Sequence, residues 1–192
     1  DPDHWTNQNQ FSLFWSLPGD GSGIAGAYYK LDAAPTSATD GVWVAGDNLS
    51  MIKDIAVAGD GAHTAYVWLK DKVGNVDHTH YATATLYYDG SAPLSPVGLT
   101  PAPDNWTNLN LFNLNWSNPA ELSGIVGAYY RLNSAPAHAA DGTYVAGANI
   151  QSLSGVTTPG EGVHTVYVWL KNGAGGADHT RTATATLRYD NT

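Results

Sequence analysis

The sequence predicts an all-β protein made of two tandem β-sandwiches of about seven strands each. Three observations predict this class: a gapless internal repeat, apolar residues that alternate with polar ones at a period of two, and Gly, Pro, Asn and Asp between the alternating stretches. No stretch carries the apolar stripe that an amphipathic helix needs. Many short strands separated by turn residues are typical of a sandwich.

The internal repeat covers the whole chain at one fixed offset. Adding 101 to a residue number carries Trp5 to Trp106, and the same shift relates other aromatic, Gly and Pro positions. About half of the paired positions are identical, with no insertion or deletion. A unit of this length is too long for a solenoid repeat and suits a compact domain. We therefore expect repeat 1 in residues 1–92 and repeat 2 in residues 104–192.

The segment between the two copies, residues 93–103, is predicted to be a linker. The stretch from Tyr87 to Trp106 concentrates Pro, Gly and Ser, the composition of an extended and rather stiff spacer. The first residues of the chain, 1–3, align with the end of this segment. We therefore expect the sequence to be a piece of a longer array of such repeats.

Each predicted strand of repeat 1 is a short alternating or apolar stretch bounded by turn residues. Six stretches meet this description: FSLFWS (11–16), GAYYKLD (26–32), VWVAG (42–46), MIKDIAV (51–57), HTAYVWLK (63–70) and YATATLYY (81–88). A short strand near Trp5 brings the number to about seven. The alternation is plainest in the second copy, where FNLNWS (112–117) places Asn and Ser between its apolar residues.

Composition excludes several classes of function. Charged residues make up 13% of the chain, and the net charge is −9 with only eight Lys and Arg, so the basic patches that bind phosphate backbones are missing. No apolar run approaches the roughly 20 residues that a membrane helix needs. The chain has no cysteine, which excludes disulfides and thiol chemistry. We expect an extracellular or cell-surface location.

Several motifs resemble bacterial immunoglobulin-like and fibronectin type III-like repeats of large cell-surface proteins. These are SGIAGAYYKL (22–31), GDGAHTAYVWLKDKVGNVD (59–77) and ATATLYYDGSAP (82–93). The resemblance implies two tandem immunoglobulin-like β-sandwich domains of about seven strands each, and a non-enzymatic spacer or adhesive role. Repeat 2 departs from the motif at Asn172 and Gly176, which puts in doubt any role for the side chains that repeat 1 has there.

Matching the motif to strands C, F and G of that fold assigns faces and predicts a contact surface of aromatic side chains. Its members are Tyr28, Tyr66, Trp68 and Tyr87 in repeat 1, with Tyr129, Tyr167 and Trp169 in repeat 2. Exposed aromatic patches commonly mark interfaces. The expected partner is protein, namely neighbouring repeats or copies of the chain itself, with a glycan left open. The alternative is that a neighbouring loop covers the patch or that it belongs to the core.

Two pairs of histidines are candidates for a chemical role. His63 and His164 begin a predicted strand, where a structural corner residue is expected. His78 and His179 lie in Asp-His-Thr triplets without a nucleophile motif, so local turn hydrogen bonding is the favoured role of these triplets. No catalytic residue is therefore predicted.

No cofactor is predicted, and calcium is kept only as an alternative. Oxygen ligands could come from Asp20, Asp32, Asp71 and Asn75, whose repeat 2 counterparts are Glu121, Asn133, Asn172 and Gly176, or from Asp3, Asp89, Asp104 and Asp190 at the predicted hinge. The first set loses charge in repeat 2, and the chain lacks the D-x-D-x-D-G loop. The favoured role of these acids is turn formation and solubility.

The function that these observations predict is a non-catalytic structural or adhesive module of a secreted or cell-surface bacterial protein. Self-assembly into a surface layer, stalk or filament fits such a module, because open sandwiches have edge strands that can pair. The alternative is a carbohydrate-binding accessory module of a secreted glycoside hydrolase.

Overall fold

The computed structural model describes residues 4–192 and confirms the all-β prediction. The described residues form thirteen strands and no helix, so none of them belongs to a helix able to cross a membrane. The chain divides into two compact units, unit 1 ending at Gly90 and unit 2 running Ser91–Thr192. Within each unit the strands form two antiparallel sheets, as expected for a sandwich.

Unit 1 contains six strands among its described residues. They are β1 (Phe11–Phe14), β2 (Ile24–Leu31), β3 (Val42–Ala45), β4 (Met51–Ile55), β5 (Gly61–Asp71) and β6 (Ala82–Tyr88). The larger sheet has the order β3-β2-β5-β6, and the smaller sheet is the pair β1-β4. Tyr28 lies opposite Trp68 on β5 and opposite Trp43 on β3, so three aromatic residues share one row across the larger sheet.

Unit 2 contains seven strands, and six of them repeat the plan of unit 1. They are β7 (Val97–Ala102), β8 (Phe112–Ser117), β9 (Ile125–Leu132), β10 (Thr143–Ala146), β11 (Ser152–Val156), β12 (Gly162–Asn172) and β13 (Ala183–Tyr189). The larger sheet has the order β10-β9-β12-β13, and the smaller one is β11-β8-β7. The remaining strand, β7, pairs with β8, placing Thr100 opposite Asn115 and Pro101 opposite Leu114.

Two sequence predictions need correction at the ends of the repeats. Most of the predicted linker 93–103 is not a spacer, because its residues 97–102 form β7; a Pro is tolerated there since β7 is an edge strand. The short strand predicted near Trp5 is reduced to one parallel bridge between Thr6 and Tyr88. At the predicted linker, a composition rich in turn residues was therefore a poor guide to strand pairing.

The core of each unit lies between its two sheets and is built from the apolar positions of the alternating strands. Strand β8 shows the cause most clearly, since Phe112, Leu114 and Trp116 are buried and the residues between them are exposed. In unit 1 the larger sheet contributes Ala27, Ala65 and Leu86, in agreement with the inward faces predicted for these strands. Burying such side chains is the main favourable contribution to folding.

Candidate functional site

The predicted contact surface lies on the outer face of the larger sheet, but its central residue is not exposed. Trp68 points away from the core as predicted, yet none of its surface is accessible to solvent. A covering loop, residues 32–41, closes over it, and the Trp68 Nε1–H donates to the Ala38 carbonyl at 3.0 Å. Gly41 completes the cover because a Cβ there would lie 2.5 Å from the indole ring.

Unit 2 builds the same covered tryptophan. Trp169 is fully buried beneath residues 133–142, and its Nε1–H donates to the Ala139 carbonyl at 2.8 Å. Gly142 approaches the indole as closely as its counterpart in unit 1 does. Trp68 and Trp169 therefore do not belong to an exposed contact surface. In both units a loop covers the tryptophan, as the alternative hypothesis had it.

In each unit an aspartate at the equivalent position holds the covering loop in place by hydrogen bonds. In unit 1 the Asp40 Oδ2 accepts hydrogen bonds from the Thr36 backbone N–H, the Thr36 hydroxyl and the Lys30 ammonium, at 2.8, 2.7 and 2.8 Å. These bonds, led by the one from Lys30, hold the pKa of Asp40 well below its ordinary value. In unit 2 Asp141 accepts from the Ala137 N–H and pairs with Arg131.

The aromatic row forms a stack that runs from the buried tryptophan towards solvent. We call Trp68, Tyr28 and Trp43 the aromatic stack of unit 1. The Tyr28 ring lies parallel to Trp68 at a centroid distance of 5.5 Å and meets Trp43 at 4.7 Å. Tyr28 itself is only 9% exposed. Rings in these arrangements stabilise one another beyond their buried area.

The aromatic stack of unit 2 consists of Trp169, Tyr129 and Tyr144. Its centroid distances are 5.3 Å for Trp169 to Tyr129 and 4.8 Å for Tyr129 to Tyr144, close to those in unit 1. The stack therefore survives the replacement of a terminal indole by a phenol. Its retention in both copies indicates a packing role, in which the stack ties the covering loop and the sheet together.

The outermost ring of each stack is the aromatic surface that remains accessible. Trp43 is 39% exposed and Tyr144 is 40% exposed, and both lie on an edge strand. A lysine of the long strand β5 or β12, the second strand from the edge strand that carries the ring, lies over each ring: Lys70 Nζ is 5.7 Å from the Trp43 ring and Lys171 Nζ is 5.5 Å from the Tyr144 ring. Such cation–π contacts add modestly to stability at exposed sites.

Sequence reasoning missed Trp43 and Tyr144, although a signal was present. Gly26 and Gly127 face these rings across the sheet, and a Cβ on either glycine would lie within 2.6 Å of the ring. A glycine in the middle of an apolar strand often marks a site where another group approaches closely. Here that group is an aromatic ring lying flat on the sheet.

The remaining predicted contact residues do not join the stacks. Tyr66 is half-buried against Tyr81, and Tyr87 is half-buried against Trp5, with centroid distances of 5.1 and 5.2 Å. Tyr167 is half-buried in unit 2. Unit 1 thus presents separate aromatic clusters instead of one continuous patch.

The corner histidines tie the start of the long strand to the turns beside it. His63 Nδ1 lies 2.8 Å from Asp32 Oδ2 and His63 Nε2 lies 3.0 Å from the Gly59 carbonyl. The hydrogen bond that His63 donates to Asp32 raises the pKa of His63, and the same bond lowers the pKa of Asp32. His164 repeats the corner with Asn133 and the Gly160 carbonyl. This geometry supports the structural role expected for both residues.

The Asp-His-Thr triplets form local turns. The Asp77 Oδ1 accepts from the Thr79 N–H and hydroxyl at 2.9 and 2.7 Å, and the repeat 2 triplet has the same two bonds between Asp178 and Thr180. The Thr79 bonds are the leading cause of the lowered pKa of Asp77. A carboxylate engaged in this way shapes a turn, as expected.

Three of the four residues considered for calcium in unit 1, Asp20, Asp71 and Asn75, line one cavity, and their side chains are engaged in hydrogen bonds within the protein. Asp71 accepts from the backbone and side chain of Asn75, and Asp20 accepts from the N–H groups of Ser22 and Gly23. Asp32 lies apart with its histidine. Within residues 4–192, no three His, Cys, Asp or Glu side chains are grouped as a metal site.

The described aspartates considered for calcium at the predicted hinge make hydrogen bonds to nearby residues. Asp89 is buried, and its N–H donates to the Thr6 carbonyl at 3.0 Å. Asp190 accepts from Thr192, and the Asp104 side chain accepts from Asn105. Asp3 lies outside the described residues. Each described member of this set therefore has a local bonding role within its own unit.

No family model matches the chain, and no curated protein matches it. Its structure is similar to the FN1–FN3 domains of chicken CNTN1, at 16% identity and a TM-score of 0.46 over 98% of this chain and 66% of that chain. It is similar to fibronectin(III)-like modules of Clostridium thermocellum CbhA, at 10% identity and a TM-score of 0.41 over 97% of this chain and 86% of that chain. A central fibronectin-III array of RIM-binding protein gives 13% identity and a TM-score of 0.33 over 94% of this chain and 63% of that chain.

Each unit is an antiparallel β-sandwich, with a four-stranded sheet facing a smaller sheet in both copies. The likeness to the solved structures is one of fold and says nothing of function.

Proposed function

We propose that the chain is a non-catalytic structural or adhesive module of a secreted or cell-surface protein, and that it acts by contact with copies of its own kind of repeat. The proposal rests on the bonds made by the acidic and histidine side chains that were considered for catalysis or metal binding. In both units the acids and histidines that could perform chemistry instead hold loops, corners and turns. A duplicated framework of this kind supports a role as a spacer that assembles through its surface.

The exposed ends of the aromatic stacks are the contact points of this proposal. Trp43 and Tyr144 each lie on an edge strand of the larger sheet, where backbone groups can pair with another chain. An aromatic ring beside a free edge supplies apolar area, and the adjacent lysine supplies a charge that an acidic partner would complement.

Multi-angle light scattering and negative-stain microscopy of the full chain over a concentration series test self-assembly. Wild-type chain is expected to form oligomers or filaments, and the double substitution Trp43→Ser/Tyr144→Ser is expected to shift it towards monomer. The matched control, Tyr81→Ser/Val163→Ser, removes exposed apolar surface away from the stacks and should leave the mass distribution unchanged. A wild-type chain that stays monomeric at every concentration would contradict the assembly proposal.

Carbohydrate binding is a second candidate because the Trp43 indole presents a partly open face. A sugar platform commonly uses several coplanar rings, whereas here the second and third rings of the stack lie under the first and beneath the loop. Titration of tryptophan fluorescence with soluble polysaccharides, together with a glycan array, separates the candidates. Saturable quenching that Trp43→Ser abolishes would favour this second function over assembly.

A further inference from the structure

The outer face of the smaller sheet of unit 2 carries no charge. Its strands β7, β8 and β11 contain no Asp, Glu, Lys, Arg or His. The same is true of the longer ranges 91–103, 105–120 and 142–160, which include these strands. Because the chain as a whole has a net charge of −9, this face differs from the average surface of the protein.

The strand register defines which side chains share this face. Asn115 on the central strand β8 lies opposite Ser152 on β11 and opposite Thr100 on β7, so the three residues form one row across the sheet. Residues directly opposite each other in antiparallel strands have their side chains on the same face, and residues two apart along a strand share it as well. We call the exposed residues of this face the neutral face: Val97, Thr100, Ala102, Leu111, Asn113, Asn115, Ser117, Ser152 and Ser154.

Aliphatic side chains lie at both ends of the neutral face. Leu111, at the start of β8, is 49% exposed, and its side chain reaches towards Gly155 of β11. Val97 lies opposite Ser117 at the other end of β8 and is 58% exposed. An exposed surface that combines apolar side chains with a lack of charge is typical of the centre of an interface.

Unit 1 has charges at positions where the neutral face has none. The counterparts of Ser154 and Gly155 are Lys53 and Asp54, which are both exposed. A glutamine, Gln10, takes the place of the leucine that starts β8, and its side chain donates to Asp54. The neutral face is therefore a feature of unit 2 and not a general consequence of the fold.

We infer that the neutral face is a homotypic interface, by which unit 2 of one chain packs face to face on unit 2 of a second copy. Two copies that each carry a net charge of −9 repel one another, and this repulsion is least where neither surface is charged. Hydroxyl and amide groups both donate and accept hydrogen bonds, so a face of Asn, Ser and Thr complements itself. A charged partner would find no opposite charge on it.

The neutral face lacks the groups that would favour a glycan. Sugar-binding surfaces commonly stack sugar rings on aromatic side chains, and the aromatic residues of β8, Phe112 and Trp116, are buried in the core. The side chains that β8 presents to solvent are Leu, Asn and Ser. A second copy is therefore the occupant that this composition favours.

The expected pair has a definite centre. In a twofold interface the same patch contributes from both copies, and two packed sheets lie about 10 Å apart with their side chains interdigitated. Asn115 lies on the central strand of the three and in a central row of the neutral face. The Asn115 side chains of the two copies should therefore meet near the twofold axis.

The size of the neutral face predicts a weak pair. A standard interface takes roughly 20–30 residues and about 800 Å² from each partner. The neutral face has fewer residues than this, so we expect a dissociation constant above about 1 μM. Such a contact would gain strength where several chains are held together.

This inference rests on the proposed function, because both concern contact between copies, but it names a different surface. A twofold interface closes on itself and gives pairs only, whereas a filament needs a second kind of contact. The exposed ends of the aromatic stacks are that second contact in the proposed function. The two surfaces can be tested independently.

Analytical ultracentrifugation of the full chain up to about 1 mM tests the neutral face through charge. Asn115→Asp and Asn115→Lys should each weaken self-association by about 10-fold or more, because like charges meet at the axis. An equimolar mixture of the two variants should associate at least as tightly as wild type, which a misfolded variant could not do. The matched controls, Thr184→Asp and Thr184→Lys, place the same charges on an exposed strand position of the other sheet and should have no effect.

A single cysteine provides a second measurement, because the chain has none of its own. Under mild oxidation Asn115→Cys should form a disulfide-linked dimer about 10-fold faster than Thr184→Cys at the same concentration, since the two Asn115 positions meet in the pair. Equal rates of cross-linking, or an unchanged dissociation constant in Asn115→Asp, would overturn the inference. Binding of a polysaccharide that Asn115→Asp abolishes, in a chain that stays monomeric, would also overturn it.

The double substitution Trp43→Ser/Tyr144→Ser separates the inference from the proposed stack contacts. Pairs that persist in this variant and dissociate in Asn115→Asp would sustain the neutral face and remove the stack ends as contact points. Association that is lost in the double variant and unchanged in Asn115→Asp would sustain the stack ends and remove the neutral face.

Discussion

The corner histidines form a natural pair in which one carboxylate is exchanged for an amide. At the corner of unit 1, His63 faces the Asp32 carboxylate and the Gly59 carbonyl, two acceptors. Both ring nitrogens can donate only when the imidazole is protonated. At the corner of unit 2, the Asn133 amide can donate to His164, so a neutral ring can satisfy both sides. The substitution Asp32→Asn should therefore convert the first corner into the second.

The sign of the pH effect follows from the two pKa shifts. The pKa of His63 is raised in the folded state by its bond to Asp32, so the stabilisation is complete below the ordinary histidine value of about 6.5 and is lost as the pH rises through the higher folded value. The pKa of Asp32 is lowered by the same bond, so its contribution is lost when the pH falls below about 4. The corner of unit 1 is expected to be most stable between these limits.

The expected magnitude is small because the pair is open to solvent on one side. A shift of one pKa unit is equivalent to about 1.4 kcal/mol. The Asp32 side chain is 51% exposed while that of His63 is 12% exposed, so water screens the attraction and reduces the contribution to about 1 kcal/mol. This loss should be local to the corner.

Amide exchange at the corner measures this local stability. The Thr64 N–H donates to the Asp32 Oδ1 at 3.1 Å, and the Thr165 N–H donates to the Asn133 Oδ1 at 3.3 Å, so the two amides report the two corners in one molecule. After correction for intrinsic exchange, protection at Thr64 should fall between pH 6 and pH 8.5 relative to Thr165. Asp32→Asn should remove that difference. An equal fall in wild type and variant would refute the reasoning.

Four further substitutions test the packing of unit 1. Trp68→Ala should destabilise unit 1 by about 3–5 kcal/mol in denaturant unfolding, since the indole is fully buried, whereas Trp43→Ala at the exposed end of the stack should cost about 1 kcal/mol. Leu17→Asn should stabilise unit 1 by about 1 kcal/mol, measured by exchange protection, because the buried Nε1–H of Trp15 has no acceptor among the described residues and unit 2 provides Asn in that position. Gly41→Ala should shift tryptophan emission to the red and cost about 1–3 kcal/mol, since its Cβ would displace the indole that the covering loop encloses; unchanged emission would contradict that cover.

Strand positions and faces were predictable from the sequence because they follow from local alternation. The inward direction of Ala27, Ala65 and Leu86 is a consequence of the period of two along each strand. The burial of Trp68 was not predictable in the same way. Its outward direction follows from the strand, but its cover depends on a loop some thirty residues away in sequence, whose path is fixed by tertiary contacts such as the Ala38 carbonyl.

The strand β7 was hidden by its composition. Prolines at 93, 96, 101 and 103 indicate a spacer, and that inference overrode the alternation of Val97, Leu99 and Pro101. Proline removes one donor but leaves the carbonyl, which is sufficient on an edge strand with only one partner. A strand that pairs on one side only can therefore have a linker-like composition.

The drift of the acidic residues between the copies has a physical explanation in the bonds that they accept. At the turn after the long strand, the Asn75 N–H donates to Asp71 Oδ1 at 2.7 Å, and the equivalent Gly176 N–H donates to Asn172 Oδ1 at 2.6 Å. An amide oxygen makes the same bond as a carboxylate oxygen, so the position requires an acceptor and not a charge.

The acids that are identical in both copies have a different requirement. Asp40 pairs with a lysine and its counterpart Asp141 pairs with an arginine, so a neutral amide would lose the charge-assisted bond that holds the covering loop over the tryptophan. Of these two positions, the one that binds a cation keeps its charge and the one that binds only an N–H loses it. The same rule accounts for the retained aromatics: each stack needs ring area at three positions, and Tyr144 supplies in unit 2 what Trp43 supplies in unit 1. Comparison of the two copies thus distinguishes the residues that the sandwich needs for packing from those that can change as long as the hydrogen bond is kept.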